Sequence, residues 1–165
     1  MKKLNLLRNI LFVLLITANI GCDQLSKSIV RERLDYHEQI SFAGDHFLLT
    51  KVENTGAFLS FGDDLSPIAK KLVLNLLPAL TMLGMIFWLF LGDLNKGMAL
   101  GICCVIGGGI GNIIDRVVYG SVTDFLYMHY GIFRTGIFNL ADVSITFGAL
   151  FIIALQIWKG RGIEA

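Results

Sequence analysis

The chain has 165 residues, 55% of them hydrophobic and 16% charged, with a mean hydropathy of +0.67. Soluble domains carry about 25% charged residues, so an ordinary water-soluble globule is excluded. With 14 Lys and Arg against 13 Asp and Glu, the net charge of +1 provides no broad basic surface, which argues against nucleic acid as a partner.

At the N-terminus Lys2, Lys3 and Arg8 precede the apolar stretch Ile10 to Cys22, which has the size and flanks of a cleavable signal peptide. Asn19-Ile20-Gly21-Cys22 also faintly resembles a lipobox, although Asn19 stands where Leu is usual and Ile20 where a small residue is. Three further apolar segments follow, and the helical pattern continues through Asp23 to Ile29, so a retained first span is expected. Leu72 to Leu91 is twenty residues without an ionisable side chain, which as a helix matches the roughly 30 Å hydrocarbon core of a bilayer. Ser66-Pro67 suits its start, and Pro78 is expected to kink it. Met98 to Ile114 is a third uncharged run, joined to the second by a short Gly-Asp-Leu-Asn-Lys-Gly link. Val143 to Trp158 reaches spanning length only with Asn139 to Asp142, which draws one carboxylate toward the membrane. The expected spans are about 9–29, 71–91, 97–115 and 139–159, in one domain that is mainly α.

Four spans put both termini on one side, where Lys2, Lys3, Arg8, Lys96, Lys159 and Arg161 face only Asp93 and Glu164. By the positive-inside rule that side is cytoplasmic. Residues of about 30–70 and 116–138 are then extracytoplasmic. Within the first, residues 36–62 read as short strands and a hairpin broken by Gly-Asp and Asn-Thr-Gly. In the second, 121–127 reads as extended and Met128 to Ile137 as a surface loop.

Gly107 and Gly111 form a small-xxx-small ridge that admits a neighbouring helix. Asn112, Asp115 and Arg116 share a face at the outer end of the third span. Asp23 and Lys27 are four apart at the outer end of the first, where a snorkelling surface pair is the simplest reading. A carboxylate inside a span is costly, so Asp142 must face protein or water. Topology thus brings Asp115, Asp124 and Asp142 to one side of the membrane. Two of them sharing a proton would act as acid and base on a water, hydrolysing an amide without metal or covalent intermediate. A structural salt bridge to Arg116 is the alternative for Asp115.

Other chemistries lack their residues. His37, His46 and His129 have no zinc-ligand spacing, and the glycine run at 107–111 lacks the Lys-Ser/Thr ending of a phosphate loop. Cys22, Cys103 and Cys104 make no disulfide framework, and no serine or cysteine has an evident His partner.

Asp23-Gln24-Leu25-Ser26-Lys27, Asn54-Thr55-Gly56-Ala57, Gly111-Asn112-Ile113-Ile114-Asp115-Arg116, Val122-Thr123-Asp124-Phe125 and Phe138-Asn139-Leu140-Ala141-Asp142 occur in this order on four spans. In this the chain resembles, over nearly its whole length, the lipoprotein signal peptidases (type II signal peptidases), which are bacterial membrane aspartyl peptidases. The resemblance implies that Asp124 and Asp142 are the catalytic pair and Asp115 a supporting acid. It implies that Asn54, Gly56, Asn112, Arg116 and Asn139 belong to the polar lining, and that Asp23 and Lys27 form a supporting pair at its rim. The implied fold is a four-helix membrane bundle with a small extracytoplasmic β-cradle and a short interfacial helix. The implied substrates are diacylglyceryl-modified prolipoproteins, cut before the lipidated cysteine at the extracytoplasmic face of the inner membrane, with membrane lipid in contact and globomycin-type inhibitors as ligands. No metal or cofactor is implied, and a monomer is expected. One departure is that Phe58 and Leu59 follow Ala57 where many members have another Ala before Phe, which bears on the cradle loop.

Two further classes stand beside this reading. An ion-coupled transporter would explain acids at membrane depth, yet no polar series crosses to the cytoplasmic side. A purely structural membrane subunit would tolerate loss of either aspartate.

Overall fold

The computed structural model describes residues 2–56 and 66–160. Four long helices carry the apolar segments: α1 (Lys2–Arg33), α2 (Pro67–Leu91), α3 (Lys96–Val118) and α4 (Leu140–Gly160), each long and apolar enough to cross a membrane. Ser66 caps α2 by accepting from the Ala69 N–H, with Pro67 in the first turn, and Asn95 caps α3 by accepting from Met98 at 2.9 Å. Pro78 acts one turn early. It has no N–H to donate, and the ladder widens to a π-helix over Lys71–Leu76, where Leu77 N–H reaches back to Leu72 O.

Helix α3 is the central post. Ile102, Cys103 and Ile106 are fully buried and pack with Ile16 of α1 and Leu89 of α2. The other three helices turn Leu14, Leu80, Phe87, Phe147 and Leu150 outward, a belt of apolar surface suited to lipid. Glycines let the backbones close on the post from three sides. A Cβ at Gly107 or Gly111 would lie 2.5 Å from Asn19 or Asp23 of α1, so the expected ridge is the α1 contact. Gly101 faces Ile152 of α4, Gly108 meets the Ala141 carbonyl, and Gly109 faces Met82 of α2. A methyl at Gly108 would press on the Ala141 carbonyl, a backbone group that cannot turn aside, and on the Ile145 side chain at 2.9 Å. Gly108→Ala is therefore expected to force α4 outward at a cost of about 1–3 kcal/mol. A lowered Tm, together with an activity loss that membrane insertion does not explain, would register this displacement.

Between the helices lie β1 (Gln39–Phe42), β2 (Phe47–Asn54), β3 (Val122–Tyr130) and β4 (Phe133–Arg134), an antiparallel sheet in the order β1-β2-β3-β4. The sheet joins both long connections and caps the end of the bundle where α1 and α3 finish and α4 begins. Val52 pairs with Asp124 and Asn54 with Val122, after an irregularity between Leu49 and Val52. Val30 of α1 and Leu34 just past its end pack on Phe125 beneath the sheet. The strand expected at 121–127 runs on to Tyr130, and Phe133 folds back on it around Gly131, so the segment read as a surface loop is largely a hairpin. Its tip is nonetheless exposed, Ile132 by 90%. Turn glycines signalled a loop here, and backbone pairing overrode them. All helical segments among the described residues belong to the four spans, so the expected short interfacial helix has no counterpart there. Ala57, Phe58 and Leu59 lie outside the described residues.

Candidate active site

Where the sheet meets the bundle, polar side chains from α1, α3, α4 and two strands converge in an otherwise apolar chain. Asp124 projects from β3 and is 3% exposed. Its Oδ2 accepts from Asn54 Nδ2 at 2.9 Å and its Oδ1 from Asn139 Nδ2 at 2.6 Å. Asn54 is held in turn, because its Oδ1 accepts from Gly56 N–H at 2.9 Å. Asn139 precedes α4, where Phe138 bridges to Leu126 of β3 and so lays the start of α4 alongside Asp124.

Asp142, in the first turn of α4, is half-buried. It exchanges bonds with Asn139 in the manner of a capping box. Asp142 N–H donates to Asn139 Oδ1 at 2.9 Å, and Asn139 N–H donates to Asp142 Oδ2 at 3.2 Å. Asn112 Nδ2 donates to the other oxygen of Asp142 at 2.9 Å. Each of the four oxygens of Asp124 and Asp142 thus accepts from one nitrogen. Asn139 Nδ2 also donates to Asn112 Oδ1 at 3.2 Å, so two amides link the carboxylates.

Burial pushes Asp124 up to about 6, with the Asp142 charge adding to the rise, while the amides of Asn54 and Asn139 and the Lys27 charge pull it down. Desolvation wins because almost no water reaches the carboxylate to solvate its charge.

A second layer supports this pair. Lys27 is completely buried and donates to Asp23 Oδ2 and Asn112 Oδ1, both at 2.8 Å, with Asp115 Oδ2 at 3.2 Å. Asp23 reaches α4 by accepting from Ala141 N–H at 2.9 Å. Asp115 also meets Arg31 at 2.9 Å and accepts from Thr123 N–H at 3.2 Å, next to Asp124. Two carboxylates and two cations balance here, which is what lets them lie dry. The pair expected at a rim, or as a snorkelling surface pair, is instead a fully buried support. The Asp115 to Arg116 bridge is not formed. Arg116 donates to Gly56 O at 3.1 Å and feels the charges of Asp142 and Asp124. Cys22 lies within continuous α1, immediately before Asp23.

All ten residues singled out in the sequence come together. Gln24, Arg31 and Thr123 were missed as site residues. Gln24 donates to Asp23, Gly111 O and Asp115, and Arg31 Nε donates to Thr123 Oγ1 at 2.8 Å. Arg31 follows Lys27 by four residues, so the helical stripe Asp23, Lys27, Arg31 carried a signal. Among the described residues no three His, Cys, Asp or Glu side chains group as a metal site requires.

Beside Asp142 a cleft of about 400 Å3 runs along the outward face of α4, lined by Phe138, Val143, Thr146, Phe147 and Leu150, with Thr135 and Gly136 at its head. It is apolar along the helix and ends at a carboxylate.

The family profile described as signal peptidase (SPase) II matches residues 15–158. The lipoprotein signal peptidase of Clostridium tetani (strain Massachusetts / E88) is 33% identical over 154 residues, covering 92% of this chain and 95% of that protein. That of Pseudomonas aeruginosa (strain PAO1) is 35% identical over 143 residues, covering 84% and 82%. A solved bacterial membrane enzyme at 2.3 Å resolution superposes with a TM-score of 0.80 at 26% identity, covering 93% of this chain and 92% of its own.

Proposed function

The chain belongs to the signal peptidase II family, an aspartic peptidase family, and from that membership we propose that it removes signal peptides from diacylglyceryl-modified prolipoproteins by cutting before the lipidated cysteine. It is a multi-pass membrane protein. Both termini are cytoplasmic on the charge count, and the sheet and the carboxylates are extracytoplasmic.

The observation that carries the mechanism is the amide link from Asp124 through Asn139 and Asn112 to Asp142. With one donor on every oxygen, the remaining lone pairs are left for one shared proton and a water. Asp124, the buried member, keeps the proton and hydrogen-bonds the scissile carbonyl. Asp142, half-buried at the head of the cleft, takes a proton from water as the water attacks. As Asp124 gives its proton to the carbonyl oxygen a tetrahedral diol forms. The C–N bond then breaks, the proton that Asp142 took from water passes to the leaving amine of the cysteine, and Asp124 recovers its proton as the diol collapses to the carboxylic acid. Arg116 supplies positive charge beside the developing oxyanion. The cleft along α4 takes the apolar part of the substrate, which reaches the site from within the bilayer. Globomycin-type inhibitors compete there.

The pH dependence has a definite sign. Asp124 must be protonated, and a proton bound with a value of about 6 is lost as pH rises, so kcat/KM is expected to fall above about pH 6. A kcat/KM that stays flat or rises between about pH 6 and 8 would remove Asp124 as the acid.

The test of the reading is substrate choice. In proteoliposomes, purified protein is expected to cut a diacylglyceryl-modified precursor and leave the same precursor without the lipid uncut. Equal cleavage of both would refute recognition of the lipidated cysteine. Proton-gradient-driven uptake without cleavage would favour the transport reading.

A further inference from the structure

On the face of the sheet turned away from Asp124, a separate cavity of about 370 Å3 opens between Arg31, Tyr36, Lys51, Glu53, Tyr119 and Ser121. Glu53 pairs with Thr123 in the register next to Val52 and Asp124, and neighbouring strand residues point to opposite faces, which puts this cavity behind the site. The Glu53 carboxylate accepts from the hydroxyls of Ser121 and Thr123, and among the described residues no cation pairs with it. The Lys51 ammonium lies 4.3 Å from the Tyr36 ring centroid, and among the described residues no carboxylate pairs with it. A cation and an anion therefore line one cavity without forming an ion pair with each other. Arg31 forms a fixed positive wall, its guanidinium stacked 3.9 Å from the Tyr119 centroid and held by Thr123 and Asp115.

Opposite charges held apart in a cavity of this size suit a zwitterion with a phosphate and an ammonium a few bonds apart. The surroundings suit a lipid. The cavity lies at the end of α1, whose last turn contains Arg31, and just past the end of α3. Val117 and Val118, exposed by 70% and 62%, lead from Tyr119 onto the apolar surface of α3, a path for acyl chains. Tyr36 and Tyr119 are more than half exposed, amphipathic rings of the kind enriched at headgroup level.

We infer that this cavity binds the phosphoethanolamine headgroup of a phospholipid in the leaflet beneath the sheet, with phosphate on Lys51 and Arg31 and ammonium on Glu53. The bound headgroup braces the sheet against the membrane through Arg31, which also holds Asp115 and Thr123.

The test uses the full chain in nanodiscs containing equal amounts of phosphatidylethanolamine and phosphatidylglycerol, with retained lipid read by native mass spectrometry. Wild type is expected to retain phosphatidylethanolamine over phosphatidylglycerol by about tenfold, the effect of one good charge contact. Glu53→Gln, which still accepts from a hydroxyl, is expected to erase that preference while keeping phosphate binding. Lys51→Ala is expected to weaken both lipids about tenfold. Equal retention by wild type overturns the inference whatever the variants do, as does an unchanged preference in folded Glu53→Gln. Free phosphoethanolamine displacing the lipid at matching concentration would overturn the lipid assignment in favour of a soluble zwitterion.

Discussion

Asp124→Asn and Asp142→Asn are each expected to lower turnover by about 10,000-fold or more while the purified proteins keep their helical content and melt within about 5 °C of wild type. Asparagine has the shape of the aspartate it replaces but can neither hold the shared proton nor activate water. The structural cost is small for a specific reason. Both donors to Asp124 are fixed, Asn54 by Gly56 and Asn139 by Asp142, so an amide at position 124 sets one N–H against another, at about 1–3 kcal/mol. The substitution also removes a buried charge facing Asp142, which offsets that cost. Near-normal activity in either folded variant, measured by gel shift of a lipidated precursor, would take that aspartate out of the mechanism.

Lys27→Met carries the largest expected effect on stability. The side chain fits the space, but Asp23 and Asn112 lose a donor and Asp115 loses one of two cations in a dry interior. Breaking a buried pair from one side costs about 3–5 kcal/mol, or a Tm lower by about 10 °C. Activity should fall with it, since Asn112 orients Asp142. Adding Asp23→Asn removes the uncompensated charge and should restore part of the lost Tm, a coupling that a double-mutant cycle measures. Additive losses would mean that Lys27 and Asp23 act independently.

The helices were legible because a bilayer imposes a length and an apolarity that few other environments demand. Topology alone brought Asp115, Asp124 and Asp142 to one membrane face, and the motifs shared with the signal peptidases joined Asp23, Lys27, Asn112 and Asn139 to them. Burial was harder to read. Asp23 and Lys27 look like a surface pair at i and i+4, and Gly107 and Gly111, by letting α1 approach, make them interior. Arg31 resembles a helix-terminal arginine that complements the helix dipole, and its bond to Thr123 depends on where β3 lies in space. The hairpin at Tyr130 to Phe133 was hidden by turn residues in a segment too short for periodicity to show. Which carboxylate is buried is likewise a tertiary fact, set by the bridge of Phe138 to Leu126.

The resulting account joins an apolar shell, a glycine-lined post and one polar knot. In the proposed mechanism lipid-facing helices bring the substrate to the knot within the membrane, while the balanced cluster of Asp23, Lys27, Arg31 and Asp115 holds the knot. On the same proposal Asp124 and Asp142 are the carboxylates whose protons move.

The most direct measurement is cleavage of a diacylglyceryl-modified precursor in water enriched in oxygen-18, by reconstituted wild type and by the two asparagine variants, with both products weighed. The account predicts one heavy oxygen in the new carboxylate of the signal peptide, a second product beginning at the lipidated cysteine, and no product from either variant. Cleavage at another bond, or product from Asp124→Asn or Asp142→Asn, would contradict it.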